Sequence, residues 1–266
     1  MLKVVSHEGY LARYPTGAVE TPARIRAILG NLKGHYALVV PEPASKEDLL
    51  RAHTVDHLIQ VQLEGKAVKD AAALAAGGAL CAARRAFTDG HPYFAAVRPP
   101  GHHAGRNRFG GFCFFNNMAI ALLALLDHGT ARRAAVIDFD MHRGDGTAEI
   151  FEGDPRVSFL DVSSAEKDGF VQRSESFLEG LPPVDIIGVS AGFDMHVKDW
   201  GGLLTNRDYH RIGRLIGDAA RRLASGRVFA VLEGGYMPHE LGKAVLAFCK
   251  GLEGKDLIER THTARP

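Results

Sequence analysis

Cysteine is scarce in this chain. Among 266 residues only Cys81, Cys113 and Cys249 occur, far apart and without a CxxC pair. That excludes a disulfide framework and a zinc site built on thiolates, and it fits a reducing compartment. A surplus of one charge is also missing: 32 Lys and Arg face 31 Asp and Glu, a formal net charge of +1. A general polyanion binder needs excess cations, so nucleic acid is not expected as a partner. Long apolar runs are absent too. The longest charge-free apolar stretch, 71–83, contains Gly77 and Gly78, and it falls short of the ~18–20 residues a bilayer core requires. The opening Met-Leu-Lys-Val-Val-Ser-His has one basic residue and no apolar core, so no secretory signal is expected. These absences together point to a cytoplasmic protein with no membrane partner.

What the chain does have is apolar material in short blocks. With 46% hydrophobic residues it can bury a core, which excludes global disorder. Strand-like runs fall at Tyr36–Val40, Tyr93–Val97, Ala134–Phe139, Val157–Val162, Asp185–Ser190 and Arg227–Leu232. They are often β-branched and do not alternate with polar residues, as expected of strands covered on both faces. Helical patterns lie between them. Pro22 suits the first turn of a helix running to about Leu32. Asn117–Asp127 is an apolar helix ended by His128-Gly129. Thr205 can cap a helix with Asp208 at its third position, and Tyr209, Ile212, Leu215, Ile216, Ala219 and Leu223 then share one face. Strand–helix alternation predicts an α/β fold with a mostly parallel sheet between helices. No Pro-, Gly- or Ser-rich linker divides it, so one domain over 1–266 is expected, with a frayed tail after 254.

Ligands of such folds sit beyond the carboxyl ends of the strands, and four segments there carry polar chemistry. In Asp138-Phe-Asp140-Met-His142-Arg-Gly-Asp145-Gly, period-2 alternation puts Asp138, Asp140 and His142 on one side. That is a metal half-site or, equally, a strand end whose acids cap the next helix. In Ser190-Ala-Gly-Phe-Asp194 the carboxylate is a third ligand or an N-cap, and taken alone the N-cap is favoured. An Asp, His, Asp set suits Zn²⁺ or Fe²⁺ with an open position for water, and not a closed structural zinc site. Two carboxylates weaken the ion as a Lewis acid, so the chemistry needs a base and an oxyanion donor as well. Arg98-Pro-Pro-Gly-His102-His103-Ala supplies adjacent histidines, and Asp138 and Asp145 are spare carboxylates that could fix their tautomers. Glu233-Gly234-Gly235-Tyr236 supplies a phenol after glycines that let backbone approach a ligand; standing alone it would read as a turn with a surface Tyr.

These segments resemble the zinc-dependent histone deacetylase family, which includes acetylpolyamine amidohydrolases and acetoin-utilisation proteins. The motifs are Arg98-Pro-Pro-Gly-His102-His103-Ala, Gly111-Phe112-Cys113-Phe114-Phe115-Asn116-Asn117, Asp138-x-Asp140-x-His142-x-Gly-Asp145-Gly-Thr147, Ser190-Ala-Gly-Phe-Asp194 and Leu232-Glu-Gly-Gly-Tyr236. The resemblance covers about Pro22 to Tyr236. It implies a three-layer arginase/deacetylase sandwich with about eight parallel strands. It also implies that Asp140, His142 and Asp194 bind zinc, that His102 and His103 work with Asp138 and Asp145, and that Tyr236 polarises the acyl carbonyl. Phe112, with Gly111, Gly234 and Gly235 nearby, would line the substrate tunnel, and Asp138 with the carbonyls of Asp140 and His142 would border a potassium ion.

The sequence departs from the family at several points. Arg143 follows His142, where a cation is expected to lower a neighbour's basicity. The stretch 163–183 is short, with Phe170 the candidate for the second tunnel wall. The 57–71 loop is short as well, and Trp200 sits where it would crowd the rim. The implied activity is removal of an acyl group, acetyl above all, from an N-acyl amine such as an acyl-lysine peptide or a small acyl amine. Acetylpolyamines rank second, with Glu166, Asp168 and Asp199 as sources of an acidic gate. The alternative from another class is a non-catalytic acyl-lysine binder.

Overall fold

A computed structural model describes residues 1–163 and 166–257. In chain order its elements are β1 (Lys3–Val5), α1 (Pro22–Leu32), β2 (Ala37–Val39), α2 (Lys46–Ala52), α3 (Val55–Leu63), α4 (Lys66–Asp89), β3 (Tyr93–Ala95) and α5 (Asn117–Asp127). They continue with β4 (Ala134–Asp138), α6 (Asp145–Phe151), β5 (Val157–Asp161), α7 (Lys167–Gly180), β6 (Ile186–Ala191), α8 (Asn206–Leu223), β7 (Val228–Leu232) and α9 (Pro238–Glu253). Every described strand pair is parallel, and the sheet runs β2-β1-β3-β7-β6-β4-β5. Seven strands are described, against six read from the sequence and about eight implied by the resemblance. The missed one, β1, is only Lys-Val-Val, too short for any periodicity to register.

The helix signals worked as local chemistry. Pro22 stands at the start of α1, where its missing N–H costs nothing. The Asn116 side chain accepts from Ala119 N at 2.9 Å and caps α5. Thr205 and Asp208 form the reciprocal capping box of α8. Gly254, at φ +79°, ends α9 in the left-handed conformation. The expected frayed tail lies mostly outside the described residues.

Helices α4 and α5 pack together on one layer, and α1, α8 and α9 form the other. The centre of the sheet is apolar throughout: Ala-Ala-Val-Ile of β4 and Val-Phe-Ala-Val-Leu of β7 are fully buried. Beneath the carboxyl ends of the central strands lies an aromatic knot. Phe139 meets Phe193 edge-on at 5.8 Å, and both contact Tyr209 of α8 and Phe248 of α9. Each such ring, taken fully out of water, stabilises the fold by roughly 1.5–3 kcal/mol. Phe139 is flanked by Asp138 and Asp140, and Phe193 directly precedes Asp194. Anchoring the rings therefore fixes the carboxylates beside them.

The topology explains why four motif segments meet. The strands that precede them, β3, β7, β6 and β4, are consecutive in the sheet. Register keeps their ends level: Asp138 pairs with Ser190, and Ala191 pairs with Leu232.

Candidate active site

At that edge Asp140, His142 and Asp194 bring ligand atoms within 4.8 Å of one another. His142 Nδ1 lies 3.4 Å from Asp140 Oδ1 and 3.3 Å from Asp194 Oδ2. Both acids are buried while the imidazole is half exposed. Backbone amides aim them: His142 N donates to Asp140 Oδ1 at 2.9 Å, Gly234 N to Asp140 Oδ2 at 2.7 Å, and Met141 N to Asp194 Oδ1 at 3.0 Å. Gly234 is required here, because a Cβ on it would stand 2.5 Å from Asp194 Oδ2 and 2.6 Å from Asp140 Oδ2. Gly235, at φ +117°, instead turns the chain against Leu241 and Phe193.

This cluster fits a divalent cation. Asp194 Oδ2 is buried and takes no hydrogen bond, an expensive state for a carboxylate oxygen unless a cation meets it. The carboxylates of Asp140 and Asp194, close to its Nδ1, raise the His142 imidazole to about 10. Burial and the charge of Asp140 raise Asp194 to about 6, while Asp140, although buried, is held low by His102 and by the hydrogen bonds from His142 and Gly234. His142 and Asp194 thus hold protons more tightly than usual beside the charged Asp140, and a metal ion would take the place of those protons. The direction at His142 is opposite to that expected from Arg143. The Arg143 side chain is exposed beside a surface cavity with Asp145, Glu149 and Glu152, and the two carboxylates dominate.

Both predicted His–Asp pairs form. His102 Nδ1 lies 3.0 Å from Asp138 Oδ2, deep in the protein, and His103 Nδ1 lies 2.7 Å from Asp145 Oδ1, near its surface. The two imidazoles differ in direction. Burial opposes charge on His102, but Asp138 and Asp140 outweigh it and raise the group well above its ordinary range. Burial and the neighbouring His102 lower His103. Gly144 lets the first pair close, since a Cβ there would stand 2.1 Å from Asp138 Oδ2. Arg108 reinforces the second pair at 2.8 Å from Asp145.

Tyr236 is half-buried, and the loss of water around its hydroxyl raises the phenol, so it stays a proton donor at neutral pH. Phe112 meets it edge-on at 5.7 Å, with Phe112 held at φ +66° after Gly111 at φ +56°. Gly111 is needed because a Cβ there would meet His103 Cδ2 at 2.4 Å. Phe170 does not form a second wall. It is buried in α7 within the main core, so that expectation is corrected.

Several supporting residues gave little signal in the sequence. Arg24 donates to the backbone oxygens of Gly235, at 2.6 Å, and of Glu233, and its guanidinium lies 4.8 Å from the centre of the Tyr236 ring. Glu20, fully buried, pairs with Arg24 at 3.2 Å and Arg98 at 2.7 Å, tying two active-site loops to one carboxylate. Glu233 accepts from the amides of Gly101 and His102, and burial raises its carboxyl to about 7. Asp161, at the end of β5, accepts from Gly144 N at 2.7 Å. Asp199, read as a source for an acidic gate, accepts instead from the amides of Tyr236 and Met237. Glu166 stands exposed at the start of α7, and the Asp168 side chain lies outside the described residues.

Comparison with known proteins assigns the chain to a family. The family model of the histone deacetylase domain matches residues 18–170 and 168–252. A probable deacetylase of Methanothermobacter thermautotrophicus is 33% identical over 92% of this chain and 88% of its own length. One from Archaeoglobus fulgidus is 34% identical over 75% of this chain and 69% of its own. The crystal structure of the HDA15 HD domain superposes with a TM-score of 0.82 at 26% identity, covering 98% of this chain and 90% of that one. The chain therefore belongs to the histone deacetylase family. Its fold is the three-layer α/β sandwich of that family, and its activity class is that of a deacetylase, a hydrolase.

Proposed function

We propose that the protein is a metal-dependent amidohydrolase that removes an acyl group, acetyl first, from an N-acylated amine. One observation supports this above others: a convergent Asp140–His142–Asp194 cluster with an orphaned carboxylate oxygen, flanked by two His–Asp pairs. Asp140, His142 and Asp194 would hold the ion, Zn²⁺ or Fe²⁺ by ligand chemistry, and a potassium ion beside Asp138 belongs to the same reading. A bound divalent ion supplies Lewis acidity for water and for the acyl oxygen.

The chain's own groups carry the proton traffic. Nδ1 of each histidine is engaged by a carboxylate, so Nε2 is the nitrogen that takes and gives protons. His103, lowered and near the surface, is suited to accept a proton from the attacking water. His102, raised by Asp138 and Asp140, is suited to hold a proton and to release the amine as a neutral leaving group. The Tyr236 hydroxyl, kept protonated by the loss of water around it, donates to the oxyanion that develops on the acyl oxygen. Phe112 offers an apolar wall to a slender alkyl chain.

Acyl-lysine peptides or small acyl amines are the first substrates in this reading. Acetylpolyamines rank second, because Asp199 is already engaged by two backbone amides. The reading further holds 1–266 to be one catalytic domain acting in the cytoplasm without nucleic acid. No described helix is long and apolar enough to cross a membrane. The test is turnover of a fluorogenic acetyl-lysine peptide with and without chelator, followed by a kcat/KM panel including acetylputrescine and acetylspermidine. Metal-dependent release of the amine is expected. Absence of turnover on every acyl amine would return the protein to a non-catalytic binder.

A further inference from the structure

The rings around the ligand cluster form a closed circuit. Phe112 meets Tyr236 at 5.7 Å, and Tyr236 stacks on Trp200 at 4.3 Å with planes 25° apart. Trp200 meets His142 edge-on at 6.1 Å, and His142 meets His103 at 6.0 Å. His103 packs on Gly111, the residue before Phe112, which closes the ring. The carboxylates of Asp140 and Asp194 are buried, while Trp200 is 48% exposed. Part of its surface thus supports Tyr236 and part is offered to whatever enters.

Trp200 is held firmly enough to act as a wall. Its backbone N–H donates to Asp199 Oδ1 at 2.8 Å. The following Gly201 N donates to Asp194 O at 2.8 Å, and Leu203 and Leu204 N donate to Met195 O. The loop is thereby folded back onto the residue that carries the third carboxylate. The aromatic expected from 163–183, Phe170, is spent in the core. That leaves Phe112 as the only wall predicted from the sequence, with the indole as the other large apolar surface on the circuit.

We propose that Trp200 is the second wall of the acyl-amine channel and sets the width of amine it admits: an unbranched alkyl stem passes between the indole and Phe112, and a bulky one is excluded. This rests on the amidohydrolase reading above. A flat ring at the mouth packs methylenes and excludes water, and a branch at that depth would have to displace an indole already clamped against Tyr236.

The experiment uses the zinc-loaded full chain with N-acetylpentylamine and N-acetylcyclohexylmethylamine. In Trp200→Ala, KM for the linear amide should rise and the preference for it over the cyclohexylmethyl amide should fall by at least ~10-fold, the scale of a lost apolar pocket contact. Trp200→Phe should keep most of that preference. Unchanged selectivity in Trp200→Ala overturns the proposal, as does a fall in kcat at constant KM, which would make Trp200 only a support for Tyr236. Trp200 is the single tryptophan of the chain, so its emission gives a second readout independent of turnover. A saturable change on adding N-acetylpentylamine supports the wall even if no amide is hydrolysed, in which case the amidohydrolase reading fails alone. Turnover with a silent indole and unaltered selectivity overturns the wall and leaves the reaction standing.

Discussion

The backbone N–H of Tyr236 donates to Asp199 Oδ2 at 2.7 Å, and the next amide, of Met237, donates to the same oxygen at 3.0 Å. The phenol is thereby positioned from two sides. Arg24 holds the carbonyls of Glu233 and Gly235 on its near side, and Asp199 holds the amides that follow. Between them the Glu-Gly-Gly-Tyr turn has little freedom to swing the ring away from the cluster.

Asp199→Ala should therefore lower kcat while leaving metal content intact. The loss is bounded by the ~10²–10³ that removing an oxyanion donor outright would cost. Asp199→Asn keeps an acceptor oxygen at the same place and should recover much of the rate. A shift in KM alone, with kcat unaffected in both variants, would return Asp199 to the substrate gate.

Much of this site was legible because its residues follow strands, where α/β folds gather function, and because their chemistry is unusual in clusters. Asp138, Asp140 and His142 alternate along one extended segment, and a period of 2 reads directly. The supporting residues were not legible for a physical reason. Arg24 lies on α1 and reaches Gly235 across 211 residues of chain, and no local pattern encodes such a contact. Phe170 failed for the opposite reason: an aromatic side chain at helical spacing satisfies a core as well as a tunnel, and only packing decides. In β1 three residues offered too few positions for any period, and strand pairing on both sides supplied what propensity did not.

Asp140→Ala tests the proposed metal cluster. The variant should fold, since the Phe139–Phe193 contact and both His–Asp pairs are untouched, but retain little divalent metal. Elemental analysis of purified wild type should give about one ion per chain, with the three ligands acting as a unit. Full occupancy in the variant would remove Asp140 from the ligand set.

Tyr236→Phe deletes only the hydroxyl and leaves the stacking with Trp200 and Phe112 in place. Metal content should stay at the wild-type level and kcat should fall by ~10²–10³. Measuring kcat and KM together separates the outcomes, since an interaction made mainly in the transition state lowers kcat with little change in KM. Wild-type kcat in this variant would leave the phenol with no part in the reaction.

The last prediction concerns acid stability and the stacked pair His53 and His57, whose rings lie 4.2 Å apart and nearly parallel. His53 Nε2 accepts from Asn116 N at 2.9 Å, so that nitrogen must be unprotonated, and Nδ1–H donates to Gly105 O at 2.9 Å. His57 Nε2 lies 2.7 Å from Phe114 O. Burial, then the neighbouring His57, lowers His53 to about 3, and burial lowers His57 as well. Above the unfolded histidine value of about 6.5 both rings are neutral in both states and pH has no leverage. As pH falls below that value the unfolded chain takes up protons that the native state refuses. Stability then drains at up to about 1.4 kcal/mol per pH unit for each ring, until the native His53 itself protonates near 3. His53→Gln keeps an acceptor and a donor but cannot titrate. Its denaturant midpoint should fall less between pH 7 and pH 5 than that of the wild type, even if it starts lower. Because every other group, His57 included, is common to both proteins, the difference in slope isolates His53, and parallel slopes would show that His53 is not held neutral. The cost of acid falls on the Gly105, Phe114 and Asn116 contacts, within the 98–117 loop that also carries His102, His103 and Phe112, so activity should be lost along with that difference in stability.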